Sequence, residues 1–121
     1  MLTLAVAVAA GAGAVARYVI DQLVQRRTRG DFPFGTVLIN VTGSLLLGLA
    51  TGLALHHGLD TTATLVIGTG FAGGYTTLST WAWETLALIE VGDLLEAAVN
   101  IVGSFAAGMA AAALGLGLAL M

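Results

Sequence analysis

The residues most able to form a functional site are the glycines and hydroxyls of residues 70–84. This stretch reads GFAGGYTTLSTWAWE within an apolar part of the chain. Adjacent glycines weaken a helix, so we expect backbone carbonyls here to lack intrahelical partners. Inside a membrane such carbonyls are tolerated only against protein, water or an ion. The stretch therefore predicts a broken helix that forms a site, and carbonyl oxygens are natural ligands for a hard cation.

Polar and small residues recur at every fourth position in two other apolar segments. They are Asn40, Ser44, Gly48 and Gly52, and then Asn100, Ser104, Gly108 and Ala112. This spacing places each set on one helical face. Segments 39–48 and 99–108 share Asn, Gly, Ser and Gly at equal offsets, which favours a shared role. The small residues predict close helix packing. The asparagines and Ser104 fit either hydrogen bonds between helices or a polar path across the membrane.

Two ionisable residues lie close to the predicted membrane. Arg17 has two interpretations: its side chain reaches the lipid headgroups, or its positive potential concentrates anions at a vestibule. Glu84 is either a proton or ion site or an anchor at the membrane interface. His56 and His57 indicate a solvated helix end rather than a metal site.

The elements that position these residues are transmembrane helices. The chain is 58% hydrophobic and 9% charged, and its mean hydropathy of +0.97 excludes an ordinary soluble domain. About 20 apolar residues cross a hydrocarbon core of about 30 Å. We predict an all-α membrane protein with one transmembrane domain over residues 1–121. Its four helices are expected at about 2–24, 35–56, 61–90 with a break near 73–77, and 94–120. Short connections make neighbouring helices antiparallel, so the second and fourth should run in the same direction.

Composition also excludes several partners and activities. The net charge of −3 argues against a nucleic-acid partner, and the lipid bilayer is the expected one. The absence of cysteine excludes disulfides and thiolate metal sites. No pairing of a nucleophile with a base is evident, so we predict that the chain is not an enzyme. The arginines at 26, 27 and 29 place the first loop in the cytoplasm.

Four motifs together resemble the Fluc, or CrcB, fluoride channels. They are GAGAVARY at 11–18, FPFGTVLINVTGSLLLG at 32–48, GFAGGYTTLSTWAWE at 70–84 and NIVGSFAAG at 100–108. The motifs touch all four predicted helices, and the patterns PxGTxxxNxxGS and GGxTTxST are specific in combination. The resemblance implies a multi-pass protein of the cell (inner or plasma) membrane. It also implies an antiparallel, dual-topology dimer that passes fluoride passively through two pores and lowers its cytoplasmic level.

The same resemblance assigns roles to individual residues. A structural sodium ion at the centre of the dimer would be held by backbone carbonyls at the positions of Gly73 and Thr76, which agrees with the predicted break. The pore wall would contain Asn40, Thr77, Leu78, Ser79, Thr80, Trp81, Asn100 and Ser104. Hydrogen-bond donors of this kind replace part of the hydration shell of a small anion without trapping it.

The sequence departs from the family pattern at two of these positions. The family motif TTFSTF supplies two phenylalanines with positive ring edges, whereas this chain has Leu78 and Trp81. Trp81 offers a ring edge or its indole N–H, and Leu78 offers neither. One hypothesis is a heterodimer with a homologous subunit that has the phenylalanines and the opposite orientation. The alternative is a homodimer that conducts with altered selectivity.

Two other functions compete with fluoride conduction. A small four-helix, proton-coupled multidrug transporter matches in length, but such proteins use a first-helix glutamate, and we expect the first helix of this chain to contain no acid. A non-conducting membrane assembly subunit would explain the glycine stripes by packing alone. It would leave the hydroxyl run and Glu84 unexplained. Fluoride efflux from liposomes, with and without a pH gradient, separates the three.

Overall fold

The computed structural model describes residues 1–121 and contains helices but no strands. The helices are α1 (Leu2–Arg27), α2 (Phe34–His56), α3 (Thr61–Leu65), α4 (Gly73–Tyr75), α5 (Ser79–Glu90) and α6 (Leu94–Leu118). Helices α1, α2 and α6 are long and apolar enough to cross a membrane. The third span, residues 61–90, is divided among α3, a π-helix over Val66–Ala72, α4 and α5. The prediction of an all-α membrane protein with a broken third span is confirmed.

Helix α1 is longer than its apolar window. It continues to Arg27, so Asp21 lies within the helix, near its C-terminal end. The expectation that the first helix contains no acid is therefore wrong, and it holds only for the apolar window Leu2–Ile20. The helix continues through these polar residues because its hydrogen bonds join backbone N–H and C=O groups and do not depend on the side chains.

The third span departs from α-helical geometry at two places. Residues Val66–Ala72 form a π-helix, a rare geometry that occurs mostly as short segments at functional sites. Helix α4 then ends at Tyr75, the backbone is extended at Thr76 (φ −80°, ψ 158°), and α5 begins at Ser79. The chain therefore leaves helical geometry at 76–78, at the C-terminal side of the predicted break. The glycine-rich sequence indicated a break but not the π-helical turn before it.

Helices α2 and α6 pack directly against each other through small residues. A Cβ on Gly48 would overlap the Ala112 carbonyl, and a Cβ on Gly52 would meet the Ala119 side chain. These contacts advance along both helices together, so α2 and α6 run parallel, as predicted. On the other side of the molecule, Gly74 lies so close to α1 that a Cβ there would overlap the Ala10 carbonyl. The glycines thus allow backbones to approach closely, which substitutes for a hydrophobic driving force inside lipid.

The outer surface is apolar almost everywhere. Only 21 of the 121 residues are buried, and large side chains such as Leu4, Val8, Leu95 and Phe105 are exposed. An exposed apolar surface of this extent suits lipid or a partner subunit rather than water. His56 and His57 lie at the exposed end of α2, as expected. The chain is a multi-pass membrane protein.

Candidate functional site

Two grooves meet at the break in the third span. The break groove, a cavity of about 310 Å³, is lined by Asn40, Gly43, Ser44, Leu47, Gly68, Ala72, Gly73, Thr76, Thr77 and Leu78. The α6 groove, also about 310 Å³, is lined by Asn40, Ser44, Leu78, Trp81, Ser104, Phe105, Gly108, Met109 and Ala112. Three residues line both grooves, and one of them, Leu78, is 76% exposed. The Leu78 side chain therefore stands where the two grooves join.

Asn40 holds the broken backbone of the third span. Its Nδ2 donates to the Thr77 carbonyl at 2.9 Å, and its Oδ1 accepts from the Thr77 N–H at 2.8 Å. The amide thus satisfies both backbone polar groups of Thr77, a residue outside the helix, and these groups would otherwise be costly in a membrane. The second N–H of Nδ2 makes no hydrogen bond within the chain and belongs to a side chain that lines both grooves. Both roles expected for Asn40, a bond between helices and a place on a polar path, are compatible with this geometry.

Hydroxyls at the break end one helix and start the next. Thr76 Oγ1 donates to the Ala72 carbonyl at 2.9 Å, and Thr77 Oγ1 accepts from the Thr80 N–H at 3.1 Å. The Thr76 hydroxyl bonds back to the preceding turn, and the Thr77 hydroxyl pairs with a backbone N–H at the start of α5. Neither use of threonine was expected from the sequence. Ser79 and Thr80 are exposed and line neither groove of the single chain.

The two carbonyls expected to hold a cation have both lost their helical donors. In a continuous helix the Gly73 carbonyl would accept from the Thr77 N–H, but that N–H donates to Asn40. The Thr76 carbonyl would accept from the Thr80 N–H, but that N–H donates to the Thr77 hydroxyl. Both residues line the break groove, and no group of three or more His, Cys, Asp or Glu side chains offers an alternative metal site. The available donors are therefore neutral carbonyl oxygens, which fit a hard cation of low charge.

Arg17 is half-buried and turns toward the break. Its Nη1 donates to the Thr76 carbonyl at 3.5 Å, which is the only hydrogen bond that this carbonyl accepts. The long distance makes the bond weak. Arg17 thus places a positive charge beside the break rather than extending only toward the headgroups. This position fits the interpretation in which its potential attracts anions.

A hydrogen-bonded cluster joins α5 to α6. Asn100 is fully buried, and its Nδ2 donates to Thr85 Oγ1 at 2.8 Å. Thr85 Oγ1 in turn donates to the Trp81 carbonyl at 2.8 Å. Ser104 Oγ donates to Asn100 Oδ1 at 3.0 Å, and the Trp81 indole N–H donates to the Asn100 carbonyl at 3.2 Å. Of these residues only Trp81 and Ser104 line a groove, whereas Asn100 lies behind the groove wall.

Glu84 lies away from both grooves, at the opposite end of α2 from His56. It accepts a hydrogen bond from the Thr36 hydroxyl, which is 1% exposed, and lines a cavity of about 230 Å³ together with Asp21 and Gly35. Neither Thr36 nor Thr85 was singled out from the sequence. The sequence feature that could have identified Thr36 is its place in the GT of the motif PxGTxxxNxxGS.

Comparison with known proteins identifies the family. Residues 4–116 match the family model described as CrcB-like protein, Camphor Resistance (CrcB). A relative from Leifsonia xyli subsp. xyli, named fluoride-specific ion channel FluC 1, is 48% identical over 116 residues, which cover 96% of this chain and 85% of that protein. FluC 2 of Mycobacterium tuberculosis is 48% identical over 105 residues, covering 87% and 80%. FluC 2 of Cutibacterium acnes is 44% identical over 119 residues, covering 98% and 97%. The matches span every helix and both grooves, and the chain belongs to the CrcB family.

Proposed function

We propose that this chain is a subunit of a passive, fluoride-selective channel that releases fluoride from the cytoplasm and so relieves its toxicity. The observation that carries the proposal is the pair of grooves that meet at Leu78. They bring an amide, hydroxyls and an aromatic ring together on an otherwise apolar surface, in a chain whose curated relatives are named fluoride-specific ion channels. An ion channel, and not an enzyme, is the function that both the family and this geometry support.

The composition of the grooves suits a small anion that must leave as well as enter. None of the residues that line either groove is charged. Neutral N–H and O–H donors replace part of a hydration shell, whereas a lysine or arginine in the wall would bind the anion tightly. Conduction needs binding that is favourable but weak. Arg17, beside the break but outside the wall, supplies the attractive potential without direct contact.

We also propose that the grooves are completed by a second subunit. Leu78 is 76% exposed beside the amide and hydroxyl groups of two open grooves, and open polar surface is costly in lipid. An antiparallel partner of the same kind would cover this face and supply a second set of the same groups. Both arrangements remain part of the proposal: a homodimer, and a heterodimer with a homologue that has phenylalanines where this chain has Leu78 and Trp81.

Fluoride efflux from liposomes tests the proposed function. Channel activity predicts rapid efflux that needs no pH gradient, from this chain alone for a homodimer or only with a phenylalanine-bearing homologue for a heterodimer. Efflux that depends on a pH gradient would instead support proton-coupled transport. No efflux from either preparation would favour a non-conducting assembly subunit. Liposomes without protein are the control for leak.

A structural sodium ion at the centre of the dimer is the second part of the proposal. The N–H groups that would pair with the Gly73 and Thr76 carbonyls donate instead to Asn40 and Thr77, so the Thr76 oxygen keeps only the weak bond from Arg17 and both oxygens can still take a cation. Hard cations take several oxygen ligands, so two carbonyls from one chain are too few, and an antiparallel partner would contribute the same two. The ion would supply positive charge that holds the two broken backbones together. The proximity of the Arg17 guanidinium favours a monovalent cation over a divalent one.

Removal of sodium should lower the thermal stability of the assembly. A ligand that binds only the folded state stabilises it by about 2.7 kcal/mol at a concentration of about 100 times its dissociation constant. We therefore expect a higher melting temperature in sodium chloride than in choline chloride at equal ionic strength, with potassium chloride as the control for cation size. Equal melting temperatures in the three salts would contradict the sodium site. Backbone ligands cannot be removed by substitution, so ion exchange is the direct test.

A further inference from the structure

The hydrogen bonds between α5 and α6 have a fixed direction. The Trp81 carbonyl can only accept, so the single Thr85 proton is donated to it and Thr85 must accept from the Asn100 amide nitrogen. This orientation turns Asn100 Oδ1 toward Ser104. Because Oδ1 can only accept, Ser104 donates its one proton to it. Ser104 therefore presents oxygen lone pairs, and not a proton, to the α6 groove.

The centre of the cluster that fixes this direction, Asn100 and Thr85, is buried, and Asn100 is held at both its side chain and its backbone carbonyl. Asn100 is fully buried, so water does not compete for its amide. Thr85 fixes its nitrogen end, and the Trp81 indole N–H holds its backbone carbonyl at 3.2 Å. Phenylalanine has no N–H and could not make the bond that Trp81 makes. The ring that lines the groove is thus fastened to the peptide that orients Ser104.

We propose that Asn100 is a positioning residue that holds the Ser104 proton away from the α6 groove, with Trp81 and Thr85 holding Asn100 in place. The inference rests on the proposed fluoride conduction and deepens it. An anion can accept a hydrogen bond from Ser104 only after the hydroxyl turns and leaves Asn100 Oδ1 unpaired in a buried site. That cost weakens anion binding at Ser104 by about tenfold. Weak binding at this point allows the anion to leave, which conduction requires.

Equilibrium fluoride binding to the purified assembly tests the proposal without transport. The chain has two tryptophans, so Trp83→Phe leaves Trp81, which lines the α6 groove, as the only indole fluorophore of this chain. Fluoride titration of Trp81 fluorescence in this background gives a midpoint concentration. Asn100→Leu removes the acceptor and keeps the same branching of side-chain heavy atoms, and we expect the midpoint to fall about tenfold. Asn100→Ala removes the same acceptor without the bulk of leucine and should give the same shift if the leucine variant fails to fold.

Two further variants separate a positioning role from a general loss of packing. With Ser104→Ala in place, Asn100→Leu should no longer shift the midpoint, because no hydroxyl remains to be released. Tyr75→Phe is the matched control, since it removes a partly buried hydrogen bond between helices, to Thr42 at 2.9 Å, and Tyr75 lines neither groove. We expect it to leave the midpoint unchanged.

The outcomes distinguish the inference from the function on which it rests. An unchanged midpoint in both Asn100 variants, or an equal shift in Tyr75→Phe, would overturn the positioning role while leaving the channel function intact. If the Trp83→Phe parent shows neither a fluoride-dependent change in fluorescence nor fluoride efflux, the proposed function fails and the inference fails with it. A tenfold shift that disappears in the Ser104→Ala background supports the inference.

Discussion

Replacement of Asn40 by leucine or by aspartate is expected to abolish fluoride efflux. Leucine leaves both the Thr77 N–H and the Thr77 carbonyl without the partners that Asn40 provides at 2.8 and 2.9 Å. Ionised aspartate loses the donor to that carbonyl and adds a negative charge where both grooves meet. Each unpaired buried group costs about 1–3 kcal/mol, so we expect efflux to fall at least about 100-fold in either variant. The measurement is the initial rate of fluoride efflux from liposomes.

Ser44→Ala is the matched control for this prediction. Ser44 lies one turn after Asn40 on the same helix and lines the same two grooves, and its side chain donates no hydrogen bond to the third span. Its replacement should therefore change the rate much less than either Asn40 variant. An Asn40→Leu protein with a rate within about tenfold of the parent would show that the amide holds neither the break nor the path.

Gly13→Ala should destabilise the protein strongly, whereas Gly11→Ala should not. Both glycines lie in α1, where alanine is intrinsically favoured by about 1 kcal/mol. A Cβ on Gly13 would overlap the Phe71 carbonyl and come within 2.8 Å of the Tyr75 nitrogen, whereas one on Gly11 meets nothing within 4 Å. Overpacking of this kind costs about 1–3 kcal/mol, which lowers the melting temperature by roughly 3 to 18 °C in a chain of this size.

Thermal unfolding in detergent, followed by gel filtration of the protein that survives heating, measures this difference. The pair controls for helix propensity, because both substitutions are the same and two residues apart. Equal melting temperatures for the two variants would mean that α1 does not hold the π-helical segment as closely as the structure places it. A lower melting temperature for Gly11→Ala alone would point to a contact with a partner subunit at that face.

The glycine pattern was the most informative feature of the sequence for the fold. The spacing of Gly48 and Gly52 predicted a packing face, and the structure places that face against Ala112 and Ala119 of α6. Periodicity identifies a face because side-chain direction follows from helix geometry alone. The same reasoning could not predict the π-helix at Val66–Ala72, since its extra residue per turn is stabilised by packing against α1 and not by a local sequence rule.

The candidate site was predicted by residue type but not by partner. Asn40 was expected to bond between helices or to line a path, and the structure shows that its partner is the peptide of Thr77. These residues are 37 positions apart, so only the tertiary fold brings them together. Asn100 was expected in the pore wall, and in the single chain it is fully buried, lines neither groove and accepts a hydrogen bond from Ser104. A spacing of four residues places two side chains on one helical face, but it does not determine how far each side chain extends toward the groove.

The substitutions at Leu78 and Trp81 affect the two grooves differently. Leu78 is exposed where they join, so in the proposed dimer it would contact the second subunit. Trp81 lines the α6 groove and gives its indole N–H to the Asn100 carbonyl. The indole N–H is therefore engaged, and only the ring itself remains to face an anion. Aromatic rings carry positive edges, so the orientation of the Trp81 edge is the feature that would act on fluoride.

Electrical recording tests passive fluoride conduction most directly. The assembly that shows efflux, either this chain alone or this chain with a homologue, is placed in a bilayer with a tenfold fluoride gradient and equal chloride on both sides. Passive, selective conduction predicts a current that reverses at the equilibrium potential of fluoride, about 59 mV for a tenfold ratio of a monovalent ion. A reversal potential near zero, or one that moves with an imposed pH gradient, would contradict a fluoride-selective channel.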